Sequence, residues 1–200
     1  MRFIGDIHGN FQMYKALIAN CDETIQIGDL GLGYAKFNTM YLPVGMERMT
    51  GWHRFIRGNH DNPAVCKKHD WYLGDYGYLP DKDIFYLGGA ATPEWGKKGW
   101  GGEWFEDEEQ TIVELNKALD MYEKVKPQIV VAHECPQEIT QTVIAQYPDP
   151  TRTGQVLQAM FEIYQPDYWV FGHYHRNTRI MRNGTQFVCV PIYGVFDLEN

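Results

Sequence analysis

Arg54-Phe55-Ile56-Arg57-Gly58-Asn59-His60-Asp61 is an apolar run that stops abruptly on glycine, amide, imidazole and carboxylate. Its first half has the aromatic and β-branched residues that strands favour, and its second half has turn formers that can also act as ligands and acids. The same pattern recurs along the chain. Arg2 to Gly5 runs into Asp6-Ile7-His8, Thr24 to Gly28 into Asp29, Gln128 to Ala132 into His133-Glu134, and Tyr168 to Gly172 into His173-Tyr174-His175. Five of the seven histidines therefore follow directly on a predicted strand. Ile84 to Gly88, Thr178 to Met181 and Gln186 to Val190 read as further strands, with Asn183-Gly184 as a hairpin turn.

Helical patterns lie between these runs. Ile112, Leu115, Leu119 and Tyr122 recur at helical spacing, with the acidic run Glu106 to Glu109 as a solvated start and Pro127 as a stop. Val156, Leu157, Met160, Phe161 and Tyr164 form a second stripe, with Thr153 as its expected N-cap. Asn10 is expected to cap a helix carrying Tyr14, Leu17 and Ile18, and Asn62-Pro63 reads as a cap followed by proline at the first helical position. Gly31 to Gly51 and Thr92 to Phe105 show no regular pattern; the second holds Trp95, Trp100 and Trp104 among glycines with Lys97 and Lys98, and is expected to wall a cleft. The alternation is that of an α/β chain, and in such folds the carboxyl ends of strands converge on one crevice.

Composition narrows the class. Two hundred residues suit one domain, and 44% hydrophobic with 22% charged residues is the balance of a chain that folds. No repeat or linker divides it, so residues 1–200 are read as a single domain. No run approaches the ~20 apolar residues of a membrane helix, and the first residues leave no room for a signal peptide. Cys21, Cys66, Cys135 and Cys189 form no CxxC pair, which suggests buried thiols and a reducing, cytoplasmic setting. A net charge of -8 argues against a stable nucleic-acid complex held by phosphate neutralisation. His53 and His69 stand outside the strand-end clusters and read as ordinary surface or half-buried side chains.

Oxygen and imidazole donors without thiolate suit Mn, Fe, Zn, Ni or Co. Two such ions, about 3.5–4 Å apart, can clamp a phosphoryl group and acidify bound water. Taken together, Asp6-x-His8, Gly28-Asp29, Gly58-Asn59-His60-Asp61, His133 and Gly172-His173-x-His175 resemble the ordered signature of the calcineurin-like metallophosphoesterases, over nearly the whole chain. Gly88-Gly-Ala followed by the Trp-rich and then acidic stretch, and Val131-Ala-His-Glu-Cys-Pro136, resemble the small bacterial and phage-encoded members more than the large eukaryotic phosphatases.

The resemblance implies a two-sheet β-sandwich flanked by helices and two divalent metal ions, Mn²⁺ foremost. Asp6, His8, Asp29 and His175 would hold the first; Asp29 would bridge, and with Asn59, His133 and His173 would hold the second. A bridging hydroxide would attack the phosphoester, with His60 beside the scissile phosphate as general acid or transition-state stabiliser. The chain departs from the Ser/Thr protein phosphatases of that family, which carry an aspartate and a phosphate-gripping arginine after the second block. Here that stretch is Leu30-Gly-Leu-Gly-Tyr34; Arg57 is shared with them but can be structural. A phosphodiesterase on small or nucleotide-type substrates is the expectation. A phosphomonoesterase, including a protein phosphatase, or a non-catalytic interaction module of the same fold are the alternatives.

Overall fold

The computed structural model describes residues 1–34, 42, 46–93, 104–144 and 149–198. Trp95, Lys97, Lys98 and Trp100 lie outside them. Two sheets form the centre. The first has strands β1 (Arg2–Ile4), β2 (Glu23–Ile27), β3 (Trp52–Ile56) and β10 (Val195–Asp197) in the order β10-β1-β2-β3. The second has β4 (Tyr76–Leu79), β5 (Ile84–Leu87), β6 (Ile129–Ala132), β7 (Tyr168–Phe171), β8 (Thr178–Arg182) and β9 (Thr185–Cys189) in the order β4-β5-β6-β7-β9-β8. β1, β2 and β3 are parallel, as are β5, β6, β7 and β9, and the other three strands pair antiparallel at the edges.

Phe3, Ile25, Ile27 and Ile56 of the first sheet meet Ile84, Val131, Val170 and Val188 of the second in a dry layer. The other face of the second sheet carries Phe85, Leu87, Val130 and Trp169, and helices α3 (Ile112–Val125), α4 (Gln137–Ile144) and α5 (Arg152–Ile163) cover it. Ile4 and Phe55 on the far side of the first sheet pack with α1 (Phe11–Ile18) and with Cys66 of the short helix α2 (Pro63–Cys66). Helices thus flank a sandwich of two sheets. Strands buried on both faces read as unbroken apolar runs, which is why Ile-Phe-Tyr-Leu and Ile-Val-Val-Ala show no alternation. Among the described residues no helix is long and apolar enough to cross a membrane.

Asn10 caps α1 through Met13 N, and Asn62 caps α2, as expected. Other local expectations change. Thr151, not Thr153, caps α5, accepting from Gly154 N at 2.9 Å. Helix α3 starts at Ile112 behind a Thr111/Glu114 capping box, and its buried face is Leu115, Ala118 and Tyr122, leaving Ile112 exposed. The acidic run before it is solvated only in its first half, Glu106 and Asp107. Glu108 is buried, and Glu109 accepts from Thr153 N at 2.8 Å and Thr153 Oγ1 at 3.0 Å, because polar donors inside the fold receive both carboxylates. His53 is buried, not half-exposed, between Thr24 Oγ1 and the Thr50 carbonyl, both at 2.9 Å. Cys66, Cys135 and Cys189 are buried free thiols, whereas Cys21 is partly exposed. A short 3-10 turn, Met46–Arg48, lies in the stretch expected to lack regular structure.

Candidate metal centre

Polar side chains converge where the carboxyl ends of the parallel strands meet. Asp6 and His8 follow β1, Asp29 follows β2, Asn59 and His60 follow β3, His133 follows β6, and His173 and His175 follow β7. His8, Asp29, His173 and His175 have φ between 45° and 64°, the left-handed region that non-glycine residues seldom enter. Such residues cost about 1–3 kcal/mol each and gather at functional sites.

The side chains form two groups that share one member. In the first, ligand atoms of Asp6, His8, Asp29 and His175 lie within 4.8 Å of one another; in the second, those of Asp29, His133 and His173 do. His8 Nε2 faces His175 Nε2 at 3.1 Å, and His175 Nε2 is 2.9 Å from Asp6 Oδ2. That Asp6 oxygen is buried and makes no hydrogen bond. Asp29 divides its oxygens: Oδ2 lies 3.9 Å from His8 Nε2 and Oδ1 3.2 Å from His133 Nε2. Asn59 Oδ1 completes the second group, 3.3 Å from His133 Nε2 and 3.0 Å from His173 Nδ1. The Ile27 carbonyl accepts from His133 Nδ1 at 2.9 Å, which turns Nε2 inward. A buried acceptor without a donor, opposed imidazole nitrogens and an all-oxygen-and-nitrogen donor set fit divalent cations.

Two small-residue features hold the loops this close. A Cβ on Gly58 would stand 2.6 Å from His133 Nε2 and 2.5 Å from Asp29 N, and one on Gly172 would strike Asp6 Oδ1. Asp61 then ties two loops together: Oδ1 accepts from Gly31 N at 2.7 Å and Leu32 N at 3.0 Å, and Oδ2 from Gly58 N at 2.8 Å and Leu30 N at 3.2 Å.

The sequence matches the profile of the calcineurin-like phosphoesterases over residues 2–177. The chain belongs to that family. No curated protein matches it. Among solved structures it is similar to a candidate 5′-nucleotidase from Staphylococcus aureus solved in complex with alpha-ketoglutarate, at 15% identity and a TM-score of 0.51, covering 97% of this chain and 49% of that one. TT1561 of Thermus thermophilus (13% identity, TM-score 0.46, 96% and 89% covered) and GAP50, the anchor in the inner membrane complex of Plasmodium (13%, 0.48, 94% and 70%), are also similar. The chain thus spans about half the length of the nucleotidase.

The electrostatics of the two groups suit bound cations. Burial would push the Asp29 carboxyl up, but the charges of His133 and His60 hold it well below the usual carboxylate range. Burial lowers His8 and, together with the charge of His133, pushes His173 down to about 3, which favours the neutral imidazole in both. His133 goes the other way: burial is outweighed by the Asp29 carboxylate, which pushes it up to about 10. The Asp29 carboxylate thus favours positive charge at this point, whether a proton or a cation carries it.

His60 stands beside the two groups, not within them. Its backbone N–H donates to Asp29 Oδ1 at 2.8 Å, and its ring lies edge-on to His8 at 5.3 Å and to Tyr34 at 5.1 Å. Phe105 packs edge-on against Tyr34 at 5.9 Å, which brings the far end of the Trp-rich stretch near His60. Arg57 is structural: buried, it donates to Asp75 Oδ1 at 2.6 Å and to the Glu108 carbonyl at 2.5 Å.

Sequence reasoning gives Asp61 no task and misses Thr92, whose hydroxyl accepts from Asn59 Nδ2 at 3.1 Å. A carboxylate straight after an Asn-His pair, where the chain must turn, is the available signal for Asp61.

Proposed function

We propose that this chain hydrolyses phosphoesters with a two-ion centre in which Asp6, His8, Asp29 and His175 hold one cation, and Asp29, Asn59, His133 and His173 hold the other. The observation that carries this reading is the division of Asp29, one oxygen toward each group. When bound, divalent ions supply Lewis acidity at the phosphoryl oxygens and lower the pKa of coordinated water enough for attack at neutral pH. The protein's own residues do the rest. Asp29, kept ionised, draws the two groups together; His60, fixed next to Asp29 through its backbone, gives a proton to the departing oxygen.

Diesters are the favoured substrates. A monoester brings two negative charges and calls for additional cationic donors. Arg57 is committed to Asp75 and Glu108, and Leu30 to Tyr34 contains no cation to replace it. An aromatic stretch ending at Trp104 and Phe105 suits small aryl or nucleotide esters. Mn²⁺ is the ion proposed for the donor set, a single domain over 1–200 is supported by the shared dry layer, and a cytoplasmic setting by the four free thiols.

The test is kcat/KM on bis-p-nitrophenyl phosphate against p-nitrophenyl phosphate with Mn²⁺, followed by 2′,3′- and 3′,5′-cyclic nucleotides and by Zn²⁺, Ni²⁺ and Co²⁺. A monoester preference of a hundredfold, about 2.7 kcal/mol of transition-state discrimination, overturns the diester assignment. No turnover of either ester with any ion overturns the enzyme assignment.

A further inference from the structure

Asn59 has a special problem as a ligand. The two ends of a carboxamide have nearly the same shape, but only the oxygen can bind a cation. Something must decide which end faces His133 and His173. In this structure the decision is made on the opposite side. Asn59 Nδ2 points at Thr92 Oγ1, 3.1 Å away, and Thr92 Oγ1 in turn donates to Glu108 Oε2 at 2.6 Å. Glu108 Oε1 accepts the Thr92 backbone N–H, also at 2.6 Å. Asn59, Thr92 and Glu108 are all buried.

The chain of donors has a polarity. A hydroxyl has one hydrogen and can either give it to the carboxylate or give it to the amide oxygen. A carboxylate accepts and does not donate, and Glu108 takes the hydroxyl hydrogen. Thr92 Oγ1 is then only an acceptor toward Asn59, so only the NH2 end of the amide can face it. The amide oxygen is thereby turned to the two imidazoles. Glu108 is itself fixed, because Arg57 Nη1 holds its carbonyl at 2.5 Å while Asp75 holds Arg57.

Building on the two-ion reading above, we infer that Thr92 and Glu108 are positioning residues that set the amide of Asn59 for the second cation. They touch neither substrate nor metal and act through hydrogen-bond direction alone. Replacing Glu108 by Gln keeps the size but lets an amide N–H donate to Thr92 Oγ1. The hydroxyl hydrogen is then free for Asn59 Oδ1, and the reversed orientation of the amide becomes accessible. Partners of this kind change metal affinity by about 10- to 100-fold.

The experiment is a calorimetric titration of metal-free wild type, Thr92→Val, Thr92→Ser and Glu108→Gln with Mn²⁺, with bound ions counted by elemental analysis after gel filtration and unfolding midpoints measured on the same samples. Wild type is expected to hold two ions. Thr92→Val and Glu108→Gln are expected to weaken one site by about tenfold or more and to leave the other within about twofold, whereas Thr92→Ser, which keeps the hydroxyl, stays near wild type. Should Thr92→Val not fold, the isosteric Glu108→Gln carries the comparison. Unchanged affinity at both sites, or equal loss at both together with a lower unfolding midpoint, overturns the inference while leaving the two-ion reading in place. A folded wild type that holds fewer than two ions overturns the two-ion reading itself.

Discussion

Replacing Asp61 by Ala is expected to damage the fold more than any single ligand change. Its carboxylate accepts four backbone N–H groups, from Leu30, Gly31, Leu32 and Gly58, and is fully buried. A buried donor left without a partner costs about 1–3 kcal/mol, so four would cost roughly 4–12 kcal/mol. Water entering the space of the lost carboxylate can satisfy about half of them, which brings the expected loss to roughly 2–6 kcal/mol. Against a total stability of about 5–15 kcal/mol, that places Asp61→Ala at the edge of folding. Asp61→Asn keeps an oxygen for Gly31 and Leu32 but sets an NH2 against Leu30 and Gly58, so it is expected to lose about half as much. Urea unfolding followed by far-UV circular dichroism measures both. An Asp61→Ala protein whose midpoint and slope match wild type would refute the reasoning.

Asp29→Ala is expected to lower the occupancy of both ions, because Asp29 belongs to both groups, while His175→Ala lowers one; two tightly held ions in Asp29→Ala, counted by elemental analysis, would count against the bridging role. His60→Ala is expected to keep both ions and to slow alkyl esters more than p-nitrophenyl esters, since a general acid matters most for a poor leaving group; equal losses would favour electrostatic stabilisation instead. Asp75 supplies a pH test. Burial pushes its carboxyl up, but Arg57, a hydrogen bond from Tyr72 and Lys67 outweigh it, and the net shift is downward. A carboxyl lowered on folding contributes stability above its unfolded pKa, near 3.9, and loses it as pH falls through the folded value. Asp75→Asn is therefore expected to be less stable than wild type at pH 7, by about 2–3 kcal/mol for a mostly buried pair that keeps one other acceptor. The gap should narrow in acid below pH 4, and an unfolding-midpoint difference that stays constant between pH 7 and pH 3 would contradict this.

The strand-end pattern was legible because each cluster sits on a run whose own composition marks it as a strand, and the structure does bring Asp6, His8, Asp29, Asn59, His133, His173 and His175 together. Of the four edge strands β3 and β8 were legible, but β4 and β10 were not. Tyr76-Gly-Tyr-Leu has a glycine whose place is decided by the Tyr86 ring lying over it, and Val195-Phe-Asp is three residues long and pairs with β1 at the other end of the chain. Helix α4 was missed because its short stripe buries only Ile139 and Thr140 on the helix itself. Thr92 and Glu108 were invisible for a related reason. Hydrogen bonds spanning 33 and 16 residues leave no local periodicity, and an acid in an acidic run looks solvated whether or not it turns inward.

The pairing of β1 constrains the order of events during synthesis. β1 lies between β2 and β10, and Arg2 at its start is bound to Asp197 through two hydrogen bonds of 2.7 and 2.8 Å. β1 cannot close its outer edge until β10, which follows it by some 195 residues, has left the ribosome. His8 and His175, 167 residues apart, meet only under the same condition. Contacts of such sequence separation form late and slowly. Until then a nascent chain carries Asp6, His8 and Asp29 as an incomplete set of donors, and the proposed two-cation site can assemble only when the sandwich closes.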